Sequence, residues 1–155
     1  MNNEKDNVYD LVEDFYAHDE GWNTLLRQEY AEGFLRMEAW KGKKNSDLYR
    51  SWDNLTMLCL YLGSAETFLG DMNADDFIDC IAWCGRNISE FTPDYKNTQD
   101  FLETCDGLFK YLKGKNAISN DTVPGTAAEI LLQEGKMNII LPDGSFDEAN
   151  AERAW

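Results

Sequence analysis

The chain has 155 residues, the length of one ordinary domain, with 43% apolar and 13% aromatic residues. Its net charge is −15, from 14 basic and 29 acidic side chains. This apolar content excludes an intrinsically disordered chain, and this charge disfavours phosphate backbones and anionic lipid as partners.

A domain of this size buries roughly 68–70% of its unfolded surface, so it needs no disulfide staples. Acidity concentrates at the two ends. Residues 1–40 carry three basic and ten acidic side chains, and residues 116–155 carry two and seven, whereas residues 41–73 balance at four and four. The start, MNNEKDNVYD, is polar and acidic and reads as no signal peptide. No apolar run approaches the length of a membrane span, so the cytoplasm is the expected location.

Val8, Leu11, Val12, Phe15 and Tyr16 recur at helical spacing and predict a first helix over about 6–18, broken by Gly21. Trp22, Leu25, Leu26, Tyr30, Phe34, Met37 and Trp40 form a second, longer stripe, which Asn23 can cap. Lys41, Lys43 and Lys44 follow its end, where cations suit the helix dipole, and Gly42 is a natural stop. Ser46 or Asp47 is expected to cap a central helix over 46–63. Its face is Leu48, Trp52, Leu55, Leu58, Cys59 and Leu62, with Gly63 at the end. Residues 64–70 read as one short helical turn.

Asn73 with Asp76 three residues on gives the clearest capping box in the chain. Phe77, Ile78, Ile81 and Cys84 form the face of the helix it opens, which is expected to end near Gly85. Thr92-Pro93 predicts the start of the next helix, with Phe101, Leu102, Cys105, Leu108, Phe109 and Leu112 on one face and Gly114 as the stop. Pro124 opens a shorter helix over 124–135. Met137 to Leu141, Pro142-Asp143-Gly144 and Ser145-Phe146 then read as a small β-hairpin over 137–146. The expected fold is all-α: a compact bundle of about six helices in a single domain over 1–155, with one C-terminal hairpin.

Residues 72–119 resemble the helical N-terminal core-binding domain, of SAM-like type, of tyrosine recombinases and phage integrases. The resemblance rests on the capped start Asn73-Ala74-Asp75-Asp76-Phe77 and on Leu108-Phe109-Lys110-Tyr111-Leu112, followed by Lys115 and Ile118. It covers about a third of the chain. It implies an antiparallel helix pair over 73–114 and, if DNA contact survives, a nucleic-acid surface at Arg86, Lys96, Lys110 and Lys113. The recombinase catalytic domain has no counterpart here. The segment also carries eight acidic residues against five basic ones, which speaks against a DNA clamp.

The four cysteines, Cys59, Cys80, Cys84 and Cys105, all lie in helical apolar patterns and read as reduced core residues. Cys80 and Cys84, four apart, supply only half of a metal site. Asp75 and Asp79 could grip a cation across one turn, but acids at a helix start are more simply a solvated face. The same applies to Asp10, Glu13 and Asp14, whose spacing would otherwise suit an acidic mimic of nucleic acid. His18 is the single imidazole and has no partner in any catalytic motif. No GxSxG, P-loop, GxGxxG or HExxH pattern occurs, so neither a catalytic residue nor a cofactor or metal site is expected.

What remains is aromatic surplus. Trp22, Tyr30 and Trp40 with Lys41, Lys43 and Lys44, and then Tyr49, Arg50 and Trp52, form the candidate partner surface, because Trp and Tyr are favoured interface anchors. The sequence therefore points to a non-enzymatic protein-interaction or regulatory module of a bacterium or mobile element. Its expected partner is another protein or a second copy. An acidic nucleic-acid mimic and an integrase-like DNA-binding relic are the alternatives.

Overall fold

The computed structural model describes residues 7–18, 25–88 and 91–134. Among these it is all-α, with six α-helices and no strand. The expected hairpin, the Gly21 break, the Asn23 cap and Trp155 lie outside the described residues. The chain divides into two compact units, Met1–Leu69 and Gly70–Trp155.

The first unit holds α1 (Val8–His18), α2 (Gln28–Trp40) and α3 (Asn45–Ala65). Each packs on the other two. Asn7 caps α1, its Oδ1 accepting from the Asp10 N–H at 3.0 Å. Val8, Val12 and Tyr16, one turn apart, are its buried face, and Leu11 is exposed. Burial of α2 departs from the expected stripe. Its inward face is Ala31, Phe34 and Leu35, while Tyr30 and Met37 are half-buried and Trp40 is exposed. A small residue, Ala31, lies on the inner line where an aromatic was expected. Arg36, on the outer side, stacks on the Tyr9 ring of α1 at 4.2 Å.

The core of this unit is α3, which buries Leu48, Trp52, Leu55, Leu58, Cys59 and Leu62 as its sequence predicts. Trp52 meets Phe15 edge-on at 5.2 Å and Tyr16 at 6.5 Å. Such pairs add about 0.5–1.5 kcal/mol beyond the area they bury. The Tyr16 hydroxyl donates to the Leu26 carbonyl, which ties the segment before α2 to α1. Neither Ser46 nor Asp47 is the N-cap of α3. The helix begins at Asn45, and Asp47, at its third position, accepts from the Lys44 N–H at 3.3 Å.

The second unit holds α4 (Ala74–Asn87), α5 (Tyr95–Gly114) and α6 (Val123–Gln133). A single 3₁₀ turn, Leu69–Asp71, precedes α4 where one short turn was expected. The capping box at α4 is fully made. Asn73 Oδ1 accepts from the Asp76 N–H, and Asp76 Oδ2 from the Asn73 N–H, both at 2.9 Å. Asp94, not Pro93, starts α5: its carboxylate accepts from the Asn97 N–H at 2.9 Å. A charge-bearing cap one residue after Pro93 satisfies a free amide, which proline at the first position cannot do.

Phe77 of α4 and Phe109 of α5 meet edge-on at 5.3 Å. The short α6 packs on both of these helices. Its small residues Gly125, Ala127 and Ala128 permit that approach, and Pro124, Ala127 and Leu131 are buried.

The helix stops differ from expectation in an instructive way. Among the described glycines, only Gly42 has a positive φ, 104°. There the Lys43 N–H bonds Glu38 O and the Gly42 N–H bonds Ala39 O, a Schellman closure. Gly63 and Gly85 lie inside their helices, which run on to Ala65 and Asn87. The left-handed positions that close α3 and α5 are taken by Glu66 (φ 56°) and Asn116 (φ 60°). Gly114 is thus a helical residue, with open space where a Cβ would stand. Replacing Gly114 by Ala is expected to stabilise the chain by about 0.5–1 kcal/mol. Asn73→Ala is expected to cost about 1 kcal/mol. Chemical denaturation followed by circular dichroism checks both signs.

Candidate functional site: an aromatic corner ringed by lysines

The α2–α3 corner carries the most exposed large hydrophobic side chain among the described residues. Trp40, the last residue of α2, is 86% exposed. Lys41, Lys43 and Lys44 follow it, all exposed. The Gly42 reversal holds them together, because the Schellman bonds fix the backbone from Glu38 to Lys43. No described ion pair engages any of the three lysines. Cations elsewhere are mostly occupied. Arg27 pairs with Glu29, Lys110 with Asp106 at 2.6 Å and Lys113 with Asp121 at 3.7 Å. Arg36 and Lys115 lie over tyrosine rings.

The other members of the expected partner surface separate. Tyr30 and Tyr49 are half-buried, and Arg50 is exposed and 3.7 Å from Asp47. Trp52 is 4% exposed and belongs to the core of the first unit, so it offers nothing to a partner. Its place on the apolar face of α3 already carried that signal, since Leu48, Leu55 and Leu62 share the line. Trp22 lies outside the described residues.

Of the expected nucleic-acid surface, Arg86 lies at the end of α4, while Lys96, Lys110 and Lys113 lie on α5, all exposed. Lys110 and Lys113 each face a carboxylate, with which a phosphate would compete.

A groove that the sequence did not announce runs between α5 and α6. Leu102, Pro124, Gly125 and Ala128 form its apolar lining, Tyr95 and Leu132 flank it, and Glu103 and Asp106 supply its charge. Its volume is about 230 Å³. The lining comes from two successive helices, from Tyr95 at the start of one to Leu132 near the end of the next. No local periodicity encodes such a concavity, although the adjacent Pro, Gly and Ala on α6 mark a place where side chains leave room.

Among the described residues, no three His, Cys, Asp or Glu side chains converge as metal ligands. Asp76 is committed to the α4 cap. The His18 ring Nδ1 lies 2.8 Å from the Asp14 carbonyl at the exposed end of α1. Asp10, Glu13 and Asp14 are exposed on α1. No helix among the described residues is long and apolar enough to cross a membrane.

All four thiols are buried. Burial pushes the Cys59 thiol up to about 12 from 9.0. Burial also raises Cys80, helped by its hydrogen bond to Cys84 and by the nearby Cys84, Cys105 and Asp79. Burial likewise lifts the Tyr16 phenol, with Cys59 and Glu32 adding to the effect. These groups are neutral, and a neutral thiol is a poor nucleophile. In the native protein the thiols are expected to ignore an aromatic disulfide reagent at pH 8, and all four react once the chain is unfolded. Because the folded pKa of Cys59 exceeds its unfolded value, its contribution to stability is complete below pH 9 and lost as the pH climbs toward 12. Denaturant midpoints measured from pH 7 to 11 are expected to hold level and then fall.

Comparison with family models, with curated proteins and with solved structures gave no match. What this corner does must therefore be read from its own geometry.

Proposed function

We propose that this chain is a non-enzymatic, cytoplasmic protein-interaction module whose contact is the α2–α3 corner. The observation that carries the reading is Trp40, fully presented to solvent among three lysines that no described carboxylate pairs. An indole left in water forgoes its burial energy, and Trp is the side chain most enriched at the energetic centre of interfaces. Lysines suit the rim of such a contact, where they steer encounter more than they add affinity.

Charge names the kind of partner. On a chain of net charge −15, a local cationic corner selects an acidic protein surface. Nucleic acid is a poorer fit. Three lysines neutralise about three phosphates, and the remaining charge of the chain repels the rest. The pairing of Lys110 and Lys113 with Asp106 and Asp121 weakens the integrase-like alternative for the same reason.

The test compares the wild type with Trp40→Ala and with the double variant Lys43→Glu/Lys44→Glu. All three positions are exposed, so stability is expected to change by no more than about 0.5 kcal/mol. Partners recovered with the tagged chain are expected to be lost in both variants. For a purified partner, Trp40→Ala is expected to weaken binding by about thirtyfold, and the charge reversal to slow association. Partner binding unchanged in both variants refutes the reading, as does measured turnover of a small substrate by the chain.

A further inference from the structure

Resting on that reading of the Trp40 corner, we infer that one partner is a second copy of this chain, whose α5–α6 groove receives the corner. The two surfaces are opposite in charge and both carry apolar groups. The corner presents one large aromatic ring surrounded by cations: Trp40 with Lys41, Lys43 and Lys44. The groove presents an apolar floor bordered by carboxylates: Leu102, Pro124 and Ala128 with Glu103 and Asp106.

The groove suits an aromatic guest in other ways. Its sides, Tyr95 and Leu132, are 49% and 52% exposed, so apolar area at the rim stays wet until something covers it. Gly125 leaves the floor open beside Asp106, whose Oδ1 would lie 3.7 Å from an added Cβ. A volume of about 230 Å³ lies below the usual range for a drug-sized ligand and is on the scale of a single anchoring side chain. Glu103 is exposed and enters no described ion pair, so it is open to a lysine from outside. Asp106 already holds Lys110, and an incoming lysine would share it.

Two chains of charge −15 repel each other at long range, and this must be weighed against the local fit. At physiological ionic strength the screening length is about 8 Å, so most of that repulsion is removed, while lysine–carboxylate pairs at contact still act. Because corner and groove are different patches, the contact is heterologous: a single contact leaves one copy with a free corner and the other with a free groove. Further copies add at those patches or the assembly closes on itself, and in either case mass grows with concentration.

That asymmetry gives a decisive experiment. A corner-blocked variant, Trp40→Ala/Lys43→Glu, keeps its groove. A groove-blocked variant, Glu103→Lys/Leu132→Glu, keeps its corner. All four positions are solvent-exposed, and unchanged circular dichroism verifies that both variants fold. Sedimentation equilibrium in 0.15 M salt is expected to show the wild-type mass rising with concentration. Each variant alone is expected to stay at the mass of one chain, its self-association weakened about thirtyfold or more. Mixed in equal amounts, the two are expected to restore one corner–groove contact and give a 1:1 dimer that grows no further. Wild type at the mass of one chain throughout overturns the inference, as does a mixture that fails to pair or a variant that associates as the wild type does. If self-association is missing while corner variants still lose an acidic foreign partner, the second copy is rejected and the interaction module stands. If neither is affected by the corner, both fall.

Discussion

At Gly42 the backbone takes a φ of 104°, a conformation that costs a residue with a Cβ about 1–2 kcal/mol and costs glycine almost nothing. Everything at the α2–α3 corner depends on that one dihedral. It lets the Lys43 and Gly42 amides return to Glu38 and Ala39, closing α2 within a single turn. Trp40, the last residue of α2, lies off the inward face of Ala31, Phe34 and Leu35 and stays exposed. The three lysines then stand beside it because the chain has no length in which to move them elsewhere.

The two units solve the packing problem with different means. In the first, bulk does the work: Phe15, Tyr16 and Trp52 fill the space where α1 meets α3, and the Tyr16 hydroxyl donates to Leu26 O. In the second, smallness matters as much. The Phe77–Phe109 pair links α4 and α5, and Gly125, Ala127 and Ala128 let the short α6 lie against both. The groove follows from the same economy of side chains. Where α6 is bare enough to approach α5, it also leaves uncovered floor near Leu102.

Signals that act within one turn were legible in the sequence. The Asn73–Asp76 box needs only its own four residues, and the structure has both of its hydrogen bonds. The face of α3 was legible because Leu, Trp and Cys recur there without competition. The helix of Gly114 does end there, but Gly63 and Gly85 are passed by two residues, and the left-handed positions that follow α3 and α5 belong to Glu66 and Asn116. The phase of α2 misled as well. Tyr30-Phe34-Met37 and Ala31-Phe34-Leu35 are both helical faces, and only the neighbouring helices decide between them. At the site, Trp40 and its lysines could be named from sequence. That Trp52 belongs to the interior was written in its place on the apolar face of α3, whereas the groove that α5 and α6 enclose is a tertiary fact with no local trace.

The sealed cysteines give the molecule an internal set of clocks. A thiol that is inert in the native state can be alkylated only during moments when its helix lifts away from its neighbours, so each labelling rate measures how often that part of the chain opens. Cys59 reports on α3, Cys80 and Cys84 on α4, and Cys105 on α5. Wild-type protein thus carries, without any introduced probe, the means to compare the breathing of its two halves.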